Sequence, residues 1–77
     1  MAIVRRLDEL ALQIEAKHTE TDGTYSVVKD RDGKKYLQID TYGSSTRRIA
    51  GKKSQSIRFS REAIRQLRGI IMKHFPD

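Results

Sequence analysis

The first segment of the chain has hydrophobic residues at helical spacing. Ile3, Leu7, Leu10 and Ile14 follow one another at intervals of four, three and four residues. This spacing predicts an α-helix over about residues 2–17, with an apolar stripe that faces a core. Residues 19–23 then favour a turn, because they combine a glycine with short polar and β-branched side chains. We therefore expect a leading helix within residues 1–18.

The middle of the chain has the pattern of a β-hairpin. Residues 24–29 are rich in strand-forming side chains, and residues 34–42 alternate between polar and apolar positions. The Asp-Gly pair at 32–33 suits the positive φ of a tight turn. On the return strand, Leu37 and Ile39 share one face and are the better core candidates. The opposite face carries Tyr36, Gln38, Asp40 and Tyr42.

The last third of the chain predicts a strand followed by a helix. Residues 54–59 alternate again between two faces. Ser60 is a suitable helix N-cap, and Glu62 in the first turn complements the positive end of the helix dipole. The helix is expected to end near His74. Its apolar stripe consists of Ala63, Ile64, Leu67, Ile70, Ile71 and Phe75.

Together these elements predict one α+β domain that spans residues 1–77. The expected order is an N-terminal helix, an antiparallel sheet of three to four strands, and a C-terminal helix packed on one sheet face. The fourth strand would lie near residues 47–50, where the pattern is weak. Residues 24–75 would form the sheet and the closing helix, and the other sheet face would stay partly open to solvent.

The composition restricts how so small a domain can be stabilised. The chain has 77 residues, of which 36% are hydrophobic, and it has no cysteine. Disulfides and cysteine-based metal sites are therefore excluded, and His18 and His74 alone offer little to a metal. The small core favours dimerisation or binding to a partner. No apolar run is long enough to span a membrane, so we expect a cytoplasmic or nucleoid-associated protein without a cofactor.

Positive charge is concentrated in the later part of the chain. Residues 1–28 contain three Lys or Arg and five Asp or Glu, whereas residues 29–77 contain 13 and five, so the formal charges are −2 and +8. A basic surface on the later elements indicates a polyanionic partner such as nucleic acid, although such charge also serves solubility.

The segment 43–53 contains the groups expected of a phosphate-binding loop. Two glycines allow its backbone to approach a ligand, and Ser44, Ser45 and Thr46 supply hydroxyls. Its cations are Arg47, Arg48, Lys52 and Lys53. The spacing of a P-loop is missing. A solvated surface loop is the alternative interpretation.

No group of residues has the spacing of a catalytic site. The chain has no thiol nucleophile, and no Ser, His and Asp can be grouped from the sequence. Asp30 and Asp32 are best explained as turn residues. Asp40, on a mostly basic face, is expected to pair with an arginine or to accept a base amino group. We therefore predict a binding protein and not an enzyme.

Aromatic residues of the sheet offer a second means of binding nucleic acid. Tyr36 and Tyr42, with Tyr25 as a further candidate, would lie on one sheet surface beside basic side chains. Aromatic rings in such a position can stack on unpaired bases without regard to sequence. The alternative is that the rings cover the edge of the core. The last helix adds a basic ridge of Arg61, Arg65 and Arg68, which either faces solvent or lies along a nucleic-acid backbone.

Four short motifs follow one another in the later segments. They are Leu37-Gln-Ile39-Asp-Thr-Tyr42, Gly51-Lys52-Lys53, Ile57-Arg-Phe59-Ser60-x-Glu62 and Gln66-Leu67. In this order they resemble the positive-cofactor-four family of transcriptional coactivators, over about residues 24–71. The resemblance implies a curved antiparallel sheet, one helix and a homodimer. It further implies binding of single-stranded DNA, or of unpaired regions of duplex, in transcription or replication control.

The resemblance also implies which residues contact nucleic acid. They are Lys34, Tyr36, Gln38, Tyr42, Arg47, Arg48, Lys52, Lys53 and Arg58. Two other functions stay open. The sheet and helix also resemble integrase arm-binding and plant ethylene-response domains, which insert a sheet into the major groove of duplex DNA. Alternatively, the leading helix and the basic face bind an acidic protein partner, as a small regulator or inhibitor of a nucleic-acid enzyme would.

Overall fold

The computed structural model describes residues 1–12, 16–18, 20–42 and 53–77. Within these residues the elements are β1 (Ala2–Val4), β2 (Gly23–Lys29), β3 (Lys35–Thr41), β4 (Gln55–Phe59) and α1 (Arg61–His74). The strands form a sheet in the order β1-β4-β3-β2. β1 runs parallel to β4, and the other neighbours are antiparallel. The protein is therefore α+β as predicted, but its sheet is mixed and not purely antiparallel.

The predicted leading helix is wrong. Ala2–Val4 is a strand, and residues 5–12 contain no helix. Ala2, Ile3 and Val4 pair with Ile57, Arg58 and Phe59 of β4. The backbone of β4 needs hydrogen-bonding partners on its outer side, and the β-branched pair Ile3-Val4 suits a strand. The tertiary contact thus overrides the helical spacing of the side chains.

Backbone and side-chain groups of the later elements hold β1 and the chain that follows it. The Gln66 side chain of α1 accepts a hydrogen bond from Leu7 N at 2.8 Å and donates one to Leu7 O at 3.0 Å. Ser60 N donates to Val4 O at 3.0 Å. Gln66 therefore satisfies both backbone groups of one residue, as a neighbouring strand would.

The predicted hairpin is confirmed, with β2 and β3 in register from Gly23 opposite Thr41 to Lys29 opposite Lys35. Gly33 has a φ of 82°, a conformation that side-chain-bearing residues rarely adopt. The Asp30 carboxylate accepts backbone hydrogen bonds from Asp32 and Lys34 at 2.9 and 3.0 Å. The turn is thus closed by a short acidic side chain and a glycine, as the sequence predicts.

The register divides the sheet into two faces. The polar face carries Tyr36, Gln38, Asp40, Ser56 and Arg58, and the apolar face carries Val27, Leu37, Ile39, Ile57 and Phe59. The separation of Leu37 and Ile39 from the polar residues of β3 is confirmed. The grouping of Tyr25 with the other tyrosines is wrong, because Tyr25 pairs with Ile39 and lies on the apolar face.

The closing helix α1 packs against β3 and β4. A groove lined by Val27, Leu37 and Ile64 joins the helix to the apolar face. Ser60 is the N-cap, as predicted, and its hydroxyl accepts from Ala63 N at 3.2 Å. The predicted end at His74 is also confirmed.

The sequence analysis also predicted a fourth strand and no membrane-spanning segment. The weak strand predicted near residues 47–50 lies outside the described residues. No helix in the part of the chain that the structure describes is both long and apolar enough to cross a membrane.

Candidate nucleic-acid interface

The centre of the polar face is a buried carboxylate. Asp40 and Gln38 lie on the central strand β3 with only 2% and 6% of their surfaces exposed. Side chains of the neighbouring strand β4 contact both residues, because Ser56 binds Asp40 and Arg58 binds Gln38. A buried charge of this kind requires hydrogen bonds and a counter-charge.

Asp40 receives both from its neighbours. Ser56 Oγ donates to Oδ1 at 2.5 Å, and Gln38 Nε2 lies 3.1 and 3.2 Å from the two carboxylate oxygens. Lys53 Nζ lies 3.3 Å from Oδ2 and forms a salt bridge. The hydrogen bond from Ser56, followed by those from Gln38 and Lys53, lowers the pKa of the Asp40 carboxyl below its ordinary value, although burial opposes this. Asp40 is therefore ionised at neutral pH.

Arg58 extends this network across the sheet. Its Nε donates to Gln38 Oε1 at 2.8 Å, so the Gln38 amide bridges a guanidinium and a carboxylate. The cluster formed by Lys53, Asp40, Gln38 and Arg58 contains one carboxylate and two cations. It therefore carries net positive charge although an acidic residue lies at its centre.

Tyr36 is held at one end of the polar face. Its hydroxyl donates to Asp30 Oδ2 at 3.2 Å. Burial and this hydrogen bond raise the pKa of Tyr36, whereas the backbone hydrogen bond from Lys34 is the main reason that the pKa of Asp30 is lowered. The ring is half-buried, and its hydroxyl links the sheet to the β2–β3 turn.

Tyr42 is held at the other end, directly after β3. Its hydroxyl lies 2.9 Å from Thr24 Oγ1, and its backbone oxygen accepts a hydrogen bond from Thr21. Thr24 is opposite Asp40 in the register, so this contact places the Tyr42 side chain on the polar face. The two tyrosines therefore border the buried cluster on the same face.

The structure brings five of the predicted contact residues to this face: Tyr36, Gln38, Tyr42, Lys53 and Arg58. Lys34 is exposed in the β2–β3 turn. Arg47, Arg48 and Lys52 lie outside the described residues. Gln38 differs most from what was predicted for a residue that contacts nucleic acid. Both ends of its side-chain amide already form hydrogen bonds within the sheet.

Sequence reasoning did not single out Ser56, which makes the shortest contact to Asp40. The alternation of 54–59 places it on the same face as Arg58, but only the pairing of Ser56 with Asp40 reveals the contact. Asp40 was expected to pair with an arginine or a base. Its described charge partner is instead Lys53.

The cluster offers hydrogen bonding and positive charge. Across the described ranges no three His, Cys, Asp or Glu residues are placed to hold a metal ion. No family model matches the chain, and no curated protein or solved structure is significantly similar to it. The resemblance to the positive-cofactor-four family therefore stays a prediction.

Proposed function

We propose that the protein is a non-enzymatic nucleic-acid-binding homodimer that prefers single-stranded DNA or RNA and binds it on the polar face. The observation that supports this most strongly is the charge distribution. Residues 29–77 have a formal charge of +8 and include the whole β3–β4 part of this face. A polyanion is the partner that such a surface attracts.

The acidic residue of the polar face does not oppose this attraction. The Asp40 side chain is only 3% exposed and is neutralised by Lys53. Arg58 contributes a second positive charge, and four of its five N–H donors lie on the two Nη atoms, beyond the Nε that binds Gln38. Phosphate oxygens approaching this face therefore meet cations first.

The described residues on either side of positions 43–52 lie close to the same cluster. Ser54 N donates to Thr41 O at 2.7 Å. Lys53, the first described residue after these positions, contacts Asp40 directly. Arg47, Arg48 and Lys52 lie outside the described residues and precede Lys53 by one to six positions in the sequence.

The tyrosines support a preference for unpaired bases. Tyr36 and Tyr42 are both half-buried, and each has its hydroxyl in a hydrogen bond with another residue. Rings that are held in this way lose little conformational entropy when a base stacks on them. Reading of duplex base edges would instead require free amide and carboxylate groups, and those of Gln38 and Asp40 are engaged with each other.

The decisive experiment is a salt-dependent titration with single-stranded and duplex oligonucleotides of equal length. We expect tighter binding of the single strand and a linear fall of log K with log salt concentration, with a slope of about −0.7 for each phosphate contacted. Sequence-dependent preference for duplex would favour the integrase-arm type of binding. Binding that does not respond to salt, or no binding, would favour an acidic protein partner.

A quadruple variant tests whether the basic segment takes part. Replacing Arg47, Arg48, Lys52 and Lys53 by Ala should weaken binding to every sequence and flatten the salt slope by up to about 2.8. The matched control removes the same charge from the helix, as Arg61, Arg65, Arg68 and Lys73 to Ala. If the helix variant flattens the slope and the loop variant does not, the basic ridge of α1 is the contact surface.

A further inference from the structure

β2 lies at the edge of the described sheet. Two large side chains of this strand, Tyr25 and Val27, are 76% and 66% exposed on the apolar face. Their neighbours on β3, Leu37 and Ile39, are half-buried. The apolar face therefore continues past the helix onto an uncovered edge strand, which is the usual site of pairing between chains.

This edge lacks the usual protection against pairing. From Gly23 to Val28 the strand contains no charged residue and no proline. Monomeric proteins commonly place a lysine, a proline or a bulge inside such a strand to prevent edge-to-edge association. The only charge in β2 is on its last residue, Lys29.

The hydrogen-bond pattern shows which backbone groups face outward. In an antiparallel pair, residues alternate between those that bond to the neighbouring strand and those that point away from it. Asp30 N donates to Lys34 O at 3.0 Å, which identifies the even-numbered residues as the ones bonded to β3. The backbone groups of Gly23, Tyr25, Val27 and Lys29 therefore point toward the open edge.

We propose that β2 pairs with β2 of a second copy, antiparallel and centred on Ser26. In this register all seven residues of the strand are paired. Tyr25 lies opposite Val27 of the second copy, and the reverse pair forms by symmetry. Both are aromatic and β-branched pairs of the kind that stabilise sheets. The outward groups supply about eight hydrogen bonds between the chains.

The charges of the strand are compatible with this register. Lys29 lies opposite Gly23 of the second copy, so no two like charges face each other within the paired strands. Registers displaced by two residues either leave Tyr25 opposite Lys29 or pair Val27 with Gly23, and each leaves part of the strand unpaired. The centred register is therefore the most complementary one.

The pairing determines how two binding faces are arranged. Antiparallel pairing of identical strands has its two-fold axis perpendicular to the sheet. Both polar faces then lie on one side of a continuous sheet, and both helices lie on the other. This interface rests on the homodimer proposed above and explains how one strand of nucleic acid could extend over two polar faces.

Among the described residues, the end of the helix offers another exposed apolar surface that competes with this interface. The second half of α1 exposes Ile70, Ile71 and Met72, and the exposed Phe75 follows it. These side chains offer a hydrophobic stripe but no backbone donors or acceptors, because the helix uses its own. A matched pair of variants separates the two surfaces, since Met72 is 69% exposed and Val27 is 66% exposed.

The first test compares Val27→Lys with Met72→Lys by sedimentation equilibrium over a concentration series. We expect Val27→Lys to raise the dimer dissociation constant at least about tenfold and Met72→Lys to leave it unchanged. Far-UV circular dichroism checks that each variant is folded. A dimer that survives Val27→Lys but is lost in Met72→Lys would overturn the β2 interface in favour of the helix.

The second test measures the register with single cysteines, which is possible because the chain has none. Ser26→Cys places two thiols on the two-fold axis, with Cα atoms about 4.5 Å apart, within the range of a disulfide. Thr24→Cys is the control, because its two copies would lie about 14 Å apart. We expect mild oxidation to cross-link the Ser26 variant and not the Thr24 variant, and the reverse result would refute the register.

The outcomes also separate this inference from the proposed function. A wild-type chain that is monomeric at all concentrations would refute the homodimer and its interface together. A dimer that is insensitive to Val27→Lys would refute only the interface. Binding of single strands is measured independently in the salt titration, and it can succeed or fail in either case.

Discussion

The two faces of the sheet are built by different physical means. On the polar face, Asp40 and Gln38 are buried and joined by hydrogen bonds to Ser56, Lys53 and Arg58. On the other side, one helix covers part of the apolar face, and within the described residues the buried hydrophobic residue is Ala63. The most enclosed side chains of the sheet are thus polar ones.

The two kinds of contact restrict the pairing of the strands to different degrees. Hydrophobic contacts are tolerant of sliding and repacking, whereas a buried charge is stable only when specific donors surround it. In the described residues no buried side-chain nitrogen or oxygen lacks a hydrogen-bond partner. The polar face therefore specifies the pairing of β3 with β4, and the apolar face supplies the less specific attraction.

The largest effect on stability is expected when the central carboxylate of the polar face is removed. Asp40→Ala should lower the free energy of unfolding more than Ile39→Val, because it leaves the donors of Ser56, Gln38 and Lys53 without their acceptor. Ile39 is the matched control, since it is the adjacent residue of β3 on the other face, and its truncation should cost about 1 kcal/mol. Urea unfolding measures both. A larger loss for Ile39→Val would show that the apolar face dominates.

The tyrosines of the polar face are expected to contribute to nucleic-acid binding. Tyr42→Ala and Tyr36→Ala should each weaken binding of a single strand by about 1–3 kcal/mol, while the salt slope stays nearly unchanged. Phe75→Ala is the control, because this exposed aromatic side chain follows α1 and is not part of the polar face. Fluorescence anisotropy with a labelled oligonucleotide measures all three. Equal losses in the three variants would mean that the polar face is not the stacking surface.

A smaller effect is expected where the first segment meets the helix. Gln66→Leu removes both hydrogen bonds to the backbone of Leu7 while it keeps a side chain of similar size. The free energy of unfolding should fall by about 1–2 kcal/mol, and the Leu7 amide should exchange faster with solvent. Gln66→Glu retains the acceptor for Leu7 N and should have an intermediate effect. Unchanged exchange in Gln66→Leu would indicate that β1 alone holds this segment.

The smallest expected effect is the response to acid. The pKa values of Asp40 and Asp30 are lowered from 3.8, chiefly by the Ser56 hydroxyl and the Lys34 backbone respectively. A lowered pKa means that the stabilisation is complete above about pH 5 and is lost as the pH falls below 3.8 through the folded values. Urea midpoints measured between pH 6 and 2 should therefore decline only at the acid end. Asp40→Asn should reduce this decline, and a decline that starts above pH 5 would contradict the assignment.

Local sequence patterns predict the elements that are stabilised by contacts between residues close together in the sequence. The hairpin turn depends on Asp30 and Gly33, and the start of α1 depends on the Ser60 hydroxyl. These residues act on backbone groups a few positions away, so their effect can be recognised from sequence alone. Alternation along β3 also predicted which residues share a face.

The segment before β2 shows where such patterns fail. Ile3 and Leu7 have helical spacing, but Ile3 lies in a parallel strand and Leu7 is bound by Gln66, 59 residues further along the chain. Neither partner can be identified from the local sequence. The sequence analysis predicted an arginine or a base as the partner of Asp40. It did not identify Lys53, because this contact also depends on the tertiary structure.

Sequence patterns alone predict the α+β class, the β2–β3 hairpin, the limits of the closing helix and the basic character of residues 29–77. Each of these depends on neighbouring residues or on a sum over them. Tertiary contacts establish that Ala2–Val4 is a strand, that Tyr25 faces away from Tyr36, and that Asp40 is bound by Ser56 and Lys53. These features depend on the order and register of strands that are distant in sequence, where side-chain periodicity carries no information about which strand lies alongside.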